Sequence, residues 1–180
     1  MNEDKYLSEL LRISSYIVNN VCEKQFLEEA TTIPLSDNQF SILKILNSAS
    51  PFNISDIAKL LAVSNAATGK NIDKLVQNKL VRRRFRKNDR RTAKVSITQE
   101  GKALVQKFNK IKTDKQAEVF KKYNKEEKDN FAFYLRKFVT NTLHEDSDMD
   151  LLCLQCDGFC GDVCVIKDLK GTCLKNTKEI

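Results

Sequence analysis

Five cysteines crowd the end of this 180-residue chain, at Cys153, Cys156, Cys160, Cys164 and Cys173, in the spacing Cys-x2-Cys-x3-Cys-x3-Cys-x8-Cys. Thiols this dense in a reducing compartment point to metal ahead of disulfide. Thiolates are soft donors that take tetrahedral zinc or the iron of an iron–sulfur cluster. Zinc knuckles are usually separated by a dozen or more residues, whereas only eight lie between Cys164 and Cys173. The crowding, with an apolar wrap that includes Leu152, Leu154, Phe159 and Val163, favours a 4Fe–4S cluster and leaves zinc as the alternative. A helical stripe of small packed thiols is the bland alternative, but Gly158 and Gly161 would lie inside that helix. Four thiols suffice, so one of the five is surplus. The single histidine, His144, reads as an exposed junction residue rather than a ligand.

The second chemical group is cationic. Six arginines fall between Arg82 and Arg91, in a strand–turn–strand pattern running from Val81 to Thr98. Alternation assigns Val81, Phe85, Val95 and Ile97 to a packed face and points Arg84, Arg86, Lys87 and Arg90 outward or toward the tip. With Arg91 they form a surface suited to phosphates and to the narrow minor groove. Asp89 among them reads as an orienting partner for Arg91 or the turn backbone. The formal charge of +7 divides unevenly: residues 144–180 carry eight acids and four bases, leaving +11 on residues 1–143. A basic body with an acidic tail places the nucleic-acid footprint in the body.

These groups need elements to hold them. Apolar residues at helical spacing over Tyr6–Glu29 predict a long first helix buried on more than one side. Ser36-x-x-Gln39 reads as a capping box opening a second helix, and Asn53-x-x-Asp56 as the cap of a third. Ala62-Val63 is a short turn, after which Ser64 caps a helix over Asn65–Asn78. On that helix Thr68, Ile72, Leu75 and Val76 share one arc, opposite Ala66, Ala67, Lys70, Lys74 and Gln77. Helix-turn-helix proteins present the N-terminal part of this helix to base edges. Ser64, Asn65, Ala67 and Lys70 are therefore the reading residues, with Lys74 nearer a phosphate. Thr98 caps a helix running to about Tyr123, and Asn124-x-x-Glu127 boxes a last helix through Leu143. The first and last helices carry more apolar surface than a DNA-binding lobe requires, which predicts a partner interface.

As an ordered set, several motifs resemble the MarR family of bacterial and archaeal regulators over about residues 6–143. They are Leu35-Ser36-x-x-Gln39-Phe40-x-x-Leu43, Ile57-Ala58-x-x-Leu61-x-Val63-Ser64, Asp73-x-Leu75-Val76, Leu80-Val81-x-Arg83, and Asp89-Arg90-Arg91 followed by Val95-x-Ile97-Thr98-x-x-Gly101. The resemblance implies a homodimer built by the first and last helices, binding a pseudo-palindromic operator on double-stranded DNA, usually as a repressor. Gly69-Lys70 stands where the family often has Thr-Arg or Ser-Arg, so its base preference does not carry over. Peroxide-sensing members carry a reactive thiol near the place of Cys22, yet Val18, Val21 and Phe26 around it favour a core role.

The expected fold is mainly α: a winged helix-turn-helix with long dimerisation helices and a cysteine-rich tail. Its divisions are residues 1–34 (first dimerisation helix), 35–98 (DNA-binding lobe), 99–143 (C-terminal dimerisation helices) and 144–180 (metal or cluster tail). No stretch of about 20 apolar residues and no signal-peptide pattern occurs, so a cytoplasmic protein without a membrane span is expected. The leading expectation is a regulator whose tail makes operator affinity respond to redox state, oxygen or metal. The alternatives are a repressor answering a small-molecule effector with a purely structural tail, and an electron-transfer protein. No nucleotide-binding glycine loop and no Ser/His/Asp set supports an enzyme.

Overall fold

The computed structural model describes residues 2–48, 50–86, 89–143, 152–153 and 164–166, and at 85–86 and 89–92 the backbone alone. Helix α1 (Glu3–Tyr16), a π-helical segment (Ile17–Cys22) and α2 (Glu23–Ala30) run on continuously. Then follow α3 (Asp37–Ser48), β1 (Phe52–Asn53), α4 (Ile54–Leu60), α5 (Asn65–Gln77), β2 (Val81–Arg86), β3 (Asp89–Ile97), α6 (Gln99–Phe120) and α7 (Lys125–Thr142). The sheet is antiparallel with β3 between β1 and β2, so the hairpin forms the wing beside the α4–α5 pair. This is the expected winged helix-turn-helix.

Capping explains most boundaries. Ser36 N–H donates to Gln39 Oε1 at 3.0 Å and Gln39 N–H to Ser36 Oγ at 3.4 Å, the predicted box. Ser64 Oγ accepts from Ala67 N–H at 3.2 Å, and Thr98 Oγ1 from Gly101 N–H at 3.1 Å. Asn124 and Glu127 exchange both bonds of their box. Helix α5 ends in a Schellman motif: Leu80 N–H reaches Leu75 O and Lys79 N–H reaches Val76 O, each at 2.9 Å, with Lys79 at φ 59°. Thr98 ties that turn to α6, because its hydroxyl lies 2.7 Å from Lys79 O and 2.9 Å from Leu80 O and donates to one of them.

Four expectations need correction. Asn53 does not cap α4 through its side chain; as part of β1, its Nδ2 donates instead to Asp56 Oδ2 at 3.1 Å. The first helix is not buried on several sides, for α1 and the π segment bury no residue and α2 buries only Phe26 and Ala30. Its regularity is also interrupted where Glu23 N–H bonds back to Val18 O, a widened turn that re-aims the apolar face. Val76 is 37% exposed, at the edge of the buried arc formed by Thr68, Ile72 and Leu75.

One hydrophobic cluster gathers α2, α3, α4, α5, the sheet and the first half of α6. It therefore crosses the expected divisions at 34/35 and 98/99. At its centre the fully buried Phe108 meets the Phe40 ring at 4.5 Å and the Phe26 ring at 6.4 Å. Burial of one such ring contributes about 1.5–3 kcal/mol.

The wing is docked on α5 by an inward arginine. Arg83 Nη1 pairs with Asp73 Oδ1 at 2.8 Å, while Nη2 donates to the Gly69 carbonyl at 3.1 Å. The half-buried guanidinium thus holds the middle of α5 by both its backbone and its side chain. Between those two points, Gln39 Nε2 donates to Asn71 Oδ1 at 3.4 Å and links α3 to the same helix.

Two tests follow from this packing. A Cβ on Gly101 would fall against the Leu80 carbonyl oxygen and within 2.7 Å of Ile97 Cγ1, whereas one on Gly69 meets nothing within 4 Å. Gly101→Ala is expected to lose about 1–3 kcal/mol of stability and Gly69→Ala to gain up to about 1 kcal/mol; urea denaturation giving both the same sign would refute the packing. A double-mutant cycle of Arg83→Ala and Asp73→Ala should return a coupling of about 0.5–1 kcal/mol, small because Asp73 is largely exposed. A coupling of zero would leave the wing held by the Gly69 carbonyl and apolar contacts alone.

Candidate nucleic-acid interface

The reading helix is set by its two ends and its buried arc. Ala62, at φ 52°, closes the turn from α4 in the left-handed region, and the Ser64 cap then fixes where α5 begins. Thr68 is fully buried, with Oγ1 donating to Ser64 O at 3.1 Å, and Ile72 and Leu75 anchor the inner arc. Ser64, Asn65, Ala66, Ala67, Lys70, Lys74 and Gln77 are consequently all exposed, so every reading residue named on α5 faces solvent. The Ser64 hydroxyl oxygen is engaged by the cap, which leaves its proton to donate outward.

The wing divides its arginines by parity. Val81 and Arg83 point to the core side, paired with Ile97 and Val95. Arg82 and Arg84 point away, opposite Ser96 and Lys94. Arg84 is exposed as expected, and Arg82 Nε donates to Ser96 Oγ at 3.0 Å. Backbone pairing continues to Arg86↔Asp89 past an irregularity at Phe85/Arg86. Lys87 and the side chains of Arg86, Arg90 and Arg91 lie outside the described residues, as does that of Asp89.

Sequence reasoning missed Arg83 as a positioning residue. The signal was present: Arg83 has the inward parity of Val81 and Phe85, and an inward guanidinium must find an acceptor. Asp73 supplies it from the exposed side of α5.

Two further features frame the interface. A cleft of about 780 Å³ opens between the π segment, α2 and α3. Lys44 lines it, its Nζ 5.5 Å above the Phe40 ring and 3.7 Å from Glu23 Oε2. Along α1 and the π segment, Tyr6, Leu7, Leu10, Leu11, Ile13 and Ile17 are each at least 39% exposed, and on α7 Phe131, Phe133, Tyr134, Leu135 and Phe138 at least 44%. Contiguous apolar surface of this extent marks an interaction face. No helix among the described residues is long and apolar enough to cross a membrane.

Of the tail thiols, Cys153 is buried and Cys164 half-buried, while Cys156, Cys160 and Cys173, with His144, lie outside the described residues. Among the described residues no three Cys, His, Asp or Glu side chains converge as a metal site would require. Cys22 is half-buried and packs on the hydrophobic cluster, as its neighbours suggested.

Comparison with known proteins agrees with this geometry. The MarR family model matches residues 35–93. The chain is 36% identical over 80 residues to the uncharacterized HTH-type transcriptional regulator YpoP of Bacillus subtilis, a match spanning 44% of this chain and 57% of that protein. It is 32% identical over 117 residues to the HTH-type transcriptional repressor YetL of Bacillus subtilis, spanning 64% of this chain and 68% of that protein. A solved variant of Staphylococcus aureus MepR bound to an oligodeoxyribonucleotide shares the fold with TM-score 0.61 and 22% identity, covering 76% of this chain and 98% of that one. With its motifs, its fold and the reach of its likeness to YetL in agreement, the chain belongs to the MarR family of transcriptional regulators.

Proposed function

We propose that the chain acts as a homodimeric repressor that binds a pseudo-palindromic operator on double-stranded DNA. The exposed face of α5 beside a cationic wing carries this reading: small residues at Ala66 and Ala67 allow close approach, and Lys70 can donate to guanine O6/N7. Arg84, Arg86, Lys87, Arg90 and Arg91 on the wing supply sequence-independent attraction for phosphates. The apolar faces of α1 and α7 support a two-fold dimer, which presents two recognition helices to half-sites one helical turn apart. The oligonucleotide held by the MepR variant, on the same fold, supports DNA as the partner.

The tail makes this repressor a sensor in our reading. Cys153, Cys156, Cys160 and Cys164 would hold an iron–sulfur cluster, with Cys173 as the substitute ligand and zinc the alternative metal; the donor set, thiolates with one already withdrawn from solvent, fits either. When bound, such a group supplies redox or metal-exchange chemistry. The chain itself carries the effect onward, since the tail follows directly from α7 and α7 lies in the dimer face. A second reading, supported by the 780 Å³ cleft and its half-buried Lys44, is release of DNA by a small acidic effector with the tail purely structural.

Operator titrations separate the two DNA-binding roles. Arg90→Ala should weaken binding to every sequence and lower the salt slope. Lys70→Ala should cost about 1–3 kcal/mol on the operator and relax base preference. Equal losses on operator and random DNA for the Lys70 variant would mean that α5 does not read bases.

The tail is tested by anaerobic purification. An iron–sulfur protein should be brown with broad absorption near about 400 nm, a zinc protein colourless. Air exposure, Cys156→Ser or Cys160→Ser should each change operator affinity about tenfold, or about 1–3 kcal/mol of coupling. If metal content falls while affinity holds, the tail is structural and the effector cleft becomes the leading reading.

A further inference from the structure

The outer face of the wing, away from α5, carries an unusual arrangement. In the β2–β3 register Arg84 stands directly opposite Lys94, and Arg82 opposite Ser96. Directly opposed like charges on one sheet face repel and destabilise the pairing. Among the described residues, Arg84, Lys94 and Lys102 make no ion pair that would relieve this repulsion. Lys94 is half-buried on the central strand, between Arg84 on β2 and Asn53 on β1, so the two cations stay on one face of the sheet.

The face is also concave. Arg82, Arg84, Lys94, Ser96, Lys102 and Ser50 line a cleft of about 410 Å³, with Pro51 and Ile97 as its apolar lining. A smaller hollow of about 370 Å³ adjoins it at Arg82 and Lys102 and extends along the first turn of α6, where Glu100 is the one acid among the described residues that line it. A cleft lined by one sign of charge focuses the field of its groups and concentrates counter-ions. Arginine forks and lysine points are the donors that hold phosphate oxygens, and hydroxyls complete such a shell. The volume is that of a small-molecule site rather than of a flat electrostatic footprint.

We infer that the cleft between the outer wing face and the start of α6 is an anion site for a short run of phosphates. It is separate from the reading face of α5, since strand alternation puts the two on opposite sides of the wing. A bound oligophosphate lies between Arg84 and Lys94 and replaces their repulsion with attraction to both. Free oligophosphate esters and the phosphates of a flanking duplex share this chemistry, and the two sources are separated by experiment.

Inorganic tripolyphosphate titrated calorimetrically into the full-length protein in 0.15 M salt tests the site. One saturable site per chain is expected, weakened tenfold or more in Lys94→Gln/Lys102→Gln and unchanged in Lys128→Gln/Lys137→Gln, which removes an equal charge from exposed positions of α7. Melting in low salt checks the variants' folding, and Lys94→Gln should melt at or above the wild-type temperature because it removes the repulsion. If tripolyphosphate gives no saturable heat but the double variant loses affinity for a 40-base-pair duplex and not for a 16-base-pair one, the phosphates come from flanking DNA and the site stands. Absence of both effects, equal loss in Lys128→Gln/Lys137→Gln, or a lower melting temperature for Lys94→Gln overturns the inference.

Discussion

The contact on which the rest of the molecule depends is the seat of Phe108 between Phe40 and Phe26. These three rings come from α6, α3 and α2, so a single close-packed point joins the two long-helix systems to the DNA-binding lobe. Interiors packed to this density do not deform continuously, and a shift of α6 must be followed by its neighbours. The lobe is therefore not an independent module hung on the long helices. Its core is built partly from them, through Ala30, Leu104 and Val105 as well as the rings. Any signal that alters the spacing of the long helices reaches α3 through side chains already in contact.

From that core the reading surface is positioned by short polar devices rather than by further burial. The Ser64 cap and the Ala62 turn set the start of α5, the Schellman turn at Lys79 sets its end, and Thr98 fastens that end to α6. Arg83 then locks the middle of α5 to β2. Gly69 has a poor helix propensity, yet its carbonyl is one of the two points that Arg83 holds. The softness suggested by glycine in the helix interior is thereby offset by a contact made through the backbone, which needs no side chain at that position.

What was legible in the sequence, and what was not, follows from the range over which each signal acts. Capping motifs are local hydrogen-bond arithmetic, and those at Ser36, Ser64, Thr98 and Asn124 appear as read. Asn53 obeyed the same spacing but was taken into β1, so a tertiary pairing overrode the local rule. Periodicity located the apolar stripe of the first helix but could not say what covers it, and within one chain most of it is exposed. The π segment had no sequence signature at all. On the wing, parity was readable and Arg83 was still passed over, because a run of arginines reads as one cationic surface until the register sorts it. In the tail, the sequence shows only that five thiols lie close together along the chain, whereas the geometry of a ligand set depends on three dimensions that spacing alone does not fix.

Concentrating +11 on residues 1–143 sets a further constraint on the lobe. Self-repulsion opposes compaction, and the structure meets it unevenly. Arg83 is neutralised by Asp73, Lys44 by Glu23 and Lys115 by Glu29. On the reading face of α5 and the outer wing, Lys70, Lys74, Arg84 and Lys94 make no such ion pair among the described residues. The pairing is therefore selective by position: cations that hold elements together have acids, exposed cations on α1, α6 and α7 such as Arg12, Lys110, Lys121 and Lys125 have acids one turn away, and the four on the reading face and outer wing do not. A fold under no demand to bind polyanions gains stability by spreading acids among those outward cations at a few tenths of a kcal/mol each. This chain instead places eight of its acids beyond residue 143, leaving the wing and α5 to find their counter-charge in a partner.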